Sequence, residues 1–294
     1  MTYSTQVNRL FSIVFGEKIQ KRFENIILVL AGLGFLIHLL LIVLKTNNIG
    51  FLSEVNSSLL NDPITAIYTP FSLILIYEVY LLVFYLPRSF TSCVSKQFEI
   101  ISLIVIRKIF KDIPQMDLQG DWHLSQHNLE LMVDLLGFLL LFLLIYLFNV
   151  GKNRLPKKVV NDPKLLNFIS SKKVVSLVLL MLLIITSFYS LISWSIDTYI
   201  DGFVSNVDSV FFNQFFTLLI LTDVIILLIS FRYTEEYSKL IRNTGFIIAT
   251  ILIRLSFSAD GFLNIILILT GVGFALLILQ IFNAMENPKL DSTA

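Results

Sequence analysis

The chain holds one cysteine, Cys93, three histidines and seven prolines in 294 residues, and only 15% of its residues are charged. A lone cysteine excludes an intrachain disulfide and leaves no cysteine-rich zinc or haem site. There is no phosphate-binding glycine loop, no His-Glu-x-x-His and no Gly-x-Ser-x-Gly. No stretch outside the expected spans is longer than about two dozen residues, too short for a soluble catalytic or nucleotide-binding domain. ATP-driven pumping would therefore need a motor from a partner subunit. Enzyme chemistry and a cofactor are not expected, and a formal net charge of +1 points to no nucleic-acid partner.

What fills the chain is apolar: 56% hydrophobic residues and a mean hydropathy of +0.81 describe a polytopic membrane protein. Crossing about 30 Å of hydrocarbon takes roughly 20 apolar residues in a helix. Segments 26–44, 66–86, 129–148, 174–194, 211–231 and 262–282 meet that length. Two shorter, more polar segments, 98–113 and 246–257, read as further spans. The expected fold is all-α, with eight transmembrane helices as two four-helix repeats: residues 1–150, then 151–294.

The repeat rests on an ungapped match at an offset of 145, the distance from Glu78 to Asp223. Phe71-Ser-Leu-Ile-Leu-Ile-Tyr-Glu-Val lies over Phe216-Thr-Leu-Leu-Ile-Leu-Thr-Asp-Val, and Asn8-Arg9-Leu10 over Asn153-Arg154-Leu155. With two residues inserted, Leu103-Ile-Val-Ile-Arg-Lys falls on Thr250-Ile-Leu-Ile-Arg-Leu, so Arg107 matches Arg254.

Basic residues cluster where one side of the bilayer would be. Cytoplasmic flanks of membrane helices are enriched in Lys and Arg. An inside N-terminus gives that side Arg9, Lys18, Lys21, Arg22, Arg88, Lys96, the Lys152–Lys173 group, Arg232, Lys239, Arg242 and Lys289. The opposite loops hold Glu54, Asp62, Asp117, Asp121, Asp197, Asp201, Asp208 and Asp260. Both copies then point the same way, as parallel repeats with both termini cytoplasmic. The expected location is a plasma membrane, the inner membrane of a bacterium. No cleavable signal peptide is expected. Val7, Leu10, Phe11, Val14 and Phe15 recur at helical spacing, as in a helix lying in the inner interface or packed on the cytoplasmic loops. Segment 151–173 reads as a linker that Pro156 and Pro163 break into short pieces.

Two acid–arginine pairs fall inside the spans. Glu78 lies nine residues before Pro87 and Arg107 nine after Phe98, each ~13 Å deep at about 1.5 Å per residue. Asp223 and Arg254 give the same depth from Arg232 and Gly245. An unpaired charge there costs at least ~2.5–3.5 kcal/mol, so pairing is expected. The pairs either lock two helices together or line a path on which an ion or proton exchanges with the partner charge. Copy one is the more polar, with Glu99, Lys108, Lys111 and Asp112 where copy two has Phe246, Leu255, Ser258 and an acid near Asp260. That divergence places the candidate site in copy one.

Weaker candidates surround it. Asp117, Asp121, His123 and His127 in one loop suit solvation better than a metal, and no metal is expected. His38 reads as a packing histidine, and Asp134, one turn after Glu130, as an acid reaching the headgroups. Asn56-Ser57-Ser58 is a glycosylation sequon only in a eukaryotic secretory pathway.

Lys96-Gln-Phe-Glu-Ile-Ile-Ser-Leu-Ile-Val-Ile resembles the junction of the second and third helices in voltage-sensor-type ion-transport domains, which also carry an acid in the second helix, here Glu78. The resemblance covers about 45 residues per copy and implies a four-helix ion-transport module. This chain departs from it in helix 4, where 129–148 has no arginine ladder. The four-helix plan is also similar to that of small phosphate-starvation-inducible bacterial membrane proteins.

The expected function is an ion channel or ion-coupled transporter in which Glu78 and Arg107 control a cation or proton path. Its alternatives are a non-catalytic subunit of a larger membrane complex and an effector that depolarises the membrane. Expected partners are the lipid bilayer and either further copies of the chain or other membrane subunits.

Overall fold

The structure is a computed structural model that describes residues 3–47, 60, 63–113, 126–155, 163–201, 207–233, 236–259 and 261–286. Among these residues there are nine α-helices, one 3-10 turn at Pro63–Ile67 and no strand. The helices are α1 (Tyr3–Val14), α2 (Glu17–Thr46), α3 (Tyr68–Phe84), α4 (Phe90–Asp112), α5 (Gln126–Asn153), α6 (Pro163–Asp201), α7 (Val207–Tyr233), α8 (Tyr237–Ser256) and α9 (Phe262–Glu286). Six helical stretches, Gln6–Thr46, Pro63–Phe84, Asn128–Asn153, Leu165–Tyr189, Gln214–Tyr233 and Phe262–Glu286, are long and apolar enough to cross a membrane. α4 and α8 carry too many charges to join them.

Local sequence sets several helix ends. Ser89 caps α4, its side chain accepting a hydrogen bond from the Ser92 amide at 3.3 Å. Gly261, with φ of 59°, makes the turn from α8 into α9 that an L side chain resists. Just beyond it, Asn264 Nδ2 donates to the Ser256 carbonyl at 2.8 Å and satisfies the end of α8. The linker expected over 151–173 is corrected here. α5 runs on to Asn153 and α6 starts at Pro163, because proline at a first helical position has φ already set and lacks only an amide hydrogen with no partner there.

Polar helices sit inside and apolar ones outside. Most of α4 and nearly half of α8 are buried, whereas α2, α5 and α6 turn large apolar side chains outward. Leu36 is 61% exposed, Leu139 65% and Met181 66%. Water would penalise such a surface, and lipid tails would not. The core is centred where Phe98 of α4, Phe148 of α5 and Phe246 of α8 meet, all fully buried, with ring centroids 5.1 and 5.7 Å apart.

Small residues let the inner helices approach. A Cβ on Gly137 of α5 would overlap Ile265 of α9, and one on Gly271 of α9 would lie 2.9 Å from the Ala249 carbonyl of α8. Asn283 of α9 donates to the Gly151 carbonyl at 3.0 Å. The N-terminal helix α1 packs on α6: Val7 is buried, and Lys173 donates to Asn8 Oδ1 at 2.6 Å. Of the two placements the sequence allows, packing against the bundle is therefore present, while Leu10 and Ile13 still face outward.

Candidate functional site: buried charge pairs

In the first half, Glu78 is the one charged residue of α3. Its carboxylate is 2% exposed, and Arg107 of the partly exposed face of α4 attracts it electrostatically. Oε2 of Glu78 has no hydrogen-bond partner among the described residues. A buried acceptor in that condition loses its hydration without replacement, about 1–3 kcal/mol for a neutral group and more for a charged one. Glu78 is thus held in the interior by attraction at a distance rather than by a closed set of hydrogen bonds.

The other sequence-derived candidates of copy one lie toward the two ends of α4. Glu99 pairs with Lys96 at 2.5 Å and accepts from Asn149 Nδ2 at 3.4 Å. Asn149 accepts from Ser95 at 2.6 Å, and Lys152 donates to Ser95 at 3.0 Å, so this end of the α4–α5 seam is hydrogen-bonded throughout. Toward the Asp112 end, Lys108 pairs with Asp134 of α5 at 2.9 Å. That contact corrects the reading of Asp134: the carboxylate is 5% exposed and does not reach outward, because an ammonium from α4 comes to it. Asp112 is partly buried at the last residue of α4. Lys111 lies in α4, with its side chain outside the described ones.

The second half carries a closed version. Arg254 Nη1 lies 2.5 Å from Asp223 Oδ2, and both residues are nearly inaccessible. Thr250 Oγ1 lies 2.9 Å from the same oxygen and donates to it. The arginine contact is short but poorly aligned: neither Nη1 nor Nη2 has a hydrogen-bond partner among the described residues. It is an ion pair without the charge-assisted hydrogen bond that usually accompanies one. The alignment explains one difference between the halves, since the position of Thr250 is Leu103 in copy one, half exposed and without a hydroxyl.

Lys172 is a functional candidate that sequence reasoning missed. Beside the apolar run it looks like a flanking charge, yet it is 2% exposed, donates to the Arg88 carbonyl at 2.6 Å and lies 4.6 and 5.4 Å from the Phe90 and Phe168 ring centroids. The available signal was the spacing of Phe168, Lys172 and Ser176, one buried face of a helix that begins at Pro163. Cys93 is buried, with Gln97 Nε2 3.5 Å from its sulfur. His38 Nδ1 is 2.6 Å from Thr69 Oγ1 and ties α2 to α3.

Asp117, Asp121, His123, Asn56 and Asp260 lie outside the described residues, as does the side chain of His127. Among the described residues no three His, Cys, Asp or Glu side chains are grouped to hold a metal ion. Helices of membrane-crossing length under an apolar exterior are the features of a helical membrane protein. Beyond that class, the chain matches no family model, no curated protein and no solved structure.

Proposed function

We propose that this chain is an ion-conducting or ion-coupled protein of a plasma membrane, with a cation or proton path controlled by Glu78 and Arg107. In this reading α4 and α8 also cross, making eight spans in two parallel repeats with both termini cytoplasmic. It is not an enzyme, and it works as a homo-oligomer or with other membrane subunits. The observation that carries the reading is the buried Glu78 carboxylate with one oxygen unpartnered among the described residues. An acid held in that way can take up and release a cation or proton at small structural cost. Protein reconstituted in liposomes should show flux that Glu78→Gln alters. Folded protein that passes no ion at any tested pH or voltage would sink the proposal.

The closed Asp223–Arg254 pair favours a second reading for its half, a lock between α7 and α8 of the kind found in a structural subunit. If the whole chain were such a subunit, the double swap Glu78→Arg with Arg107→Glu would restore folding and activity. A stoichiometric membrane partner would also copurify.

A further inference from the structure

Among the described residues five charged side chains are buried: Glu78, Asp134, Lys172, Asp223 and Arg254. Glu78 has the attraction of Arg107, and Asp134 has Lys108. The other three, Lys172 of α6, Asp223 of α7 and Arg254 of α8, all lie within electrostatic range of Cys93 on α4. Among the described residues, two buried cations there face a single buried anion. Buried charge is ordinarily paired, and the excess positive charge coincides with an arginine whose Nη2 has no hydrogen-bond acceptor among the described residues and whose Nη1 meets Asp223 Oδ2 as an ion pair only.

Gln97 adds to this. Its Oε1 is also buried without a partner, while its Nε2 points at the Cys93 sulfur. Amide oxygen and nitrogen are exchanged by a half-turn of the side chain. That turn would give the Cys93 S–H an acceptor and put an N–H where Oε1 now stands. The junction then presents N–H donors from α4 and α8 under a net positive charge.

We propose that this junction binds a small monovalent anion of the charge and size of chloride, held by Arg254 with Gln97 and supported by Lys172. The site is distinct from any ion path through Glu78 and Arg107, because it joins α4 to the second half and uses neither of those groups. A dicarboxylate or phosphate would bring more charge than the single excess cation balances. The Asp223 carboxylate beside Arg254 would repel a second negative charge.

The full-length protein in detergent, moved from gluconate into chloride or bromide at equal ionic strength and pH, should gain thermal stability along a saturating curve. Arg254→Gln should weaken halide binding by about tenfold or more, the scale of one lost charge-assisted hydrogen bond. Asp223→Asn should act oppositely and tighten it, because it enlarges the positive excess. Should either variant fail to fold, bromide-soaked crystals of the unaltered protein should show an anomalous peak against Arg254. Identical unfolding in gluconate and halide would overturn the proposal, as would halide binding that Asp223→Asn weakens, or a crystal without that peak.

Discussion

The two acid–arginine pairs should respond very differently to loss of the acid. Asp223→Asn keeps the shape of the side chain but leaves Arg254, itself 2% exposed, charged and without its counter-ion. Removing one member of a buried pair costs about 3–5 kcal/mol, and the Thr250 hydroxyl bond to the same oxygen loses its charge assistance as well. Glu78→Gln should cost less than ~1 kcal/mol. It removes a carboxylate whose Oε2 has no hydrogen-bond partner among the described residues and whose attraction to Arg107 acts at a distance. Reversible unfolding of both variants in one detergent, with gluconate as the sole added anion, measures the difference directly. Equal losses in the two variants would refute the argument that copy one is open and copy two closed.

Three further outcomes follow from contacts already described. Thr250→Val should destabilise by about 1–3 kcal/mol, because Asp223 Oδ2 loses its hydroxyl donor, whereas Leu103→Val at the aligned position should stay within ~1 kcal/mol in the same unfolding assay. Gly137→Val should cost about 1–3 kcal/mol or more by forcing α5 away from Ile265, while Gly273→Ala, with open space around it, should cost little; chemical denaturation compares them. Cys93 should resist a membrane-permeant maleimide in the folded protein and react once the bundle is unfolded in SDS, as read by mass shift.

The apolar runs and their lengths were legible because a helix that meets lipid must be apolar over a countable distance, and counting needs no partner. The acid and arginine of each half were legible for a related reason, since a charge in such a run stands out. What stayed hidden depends on neighbours distant in sequence. Lys172 reads as a flanking charge until the rings of Phe90 and Phe168 are seen around it. Asp134 reads as an acid reaching for headgroups until Lys108 arrives from another helix. The unequal closure of the two pairs was half visible, as Leu103 opposite Thr250 in the alignment, but a hydroxyl's value is set by the carboxylate it meets.

The aromatic junction of Phe98, Phe148 and Phe246 has a consequence for how the chain is made. Translation completes α4 long before α8 and α9 exist to shelter it. Throughout that interval a helix bearing Lys96, Glu99, Arg107 and Lys108 has only its own half for cover. The half-made protein is therefore the vulnerable species, and quality control that senses exposed polar and apolar core surface would act on it until residues 237–286 arrive and close the centre.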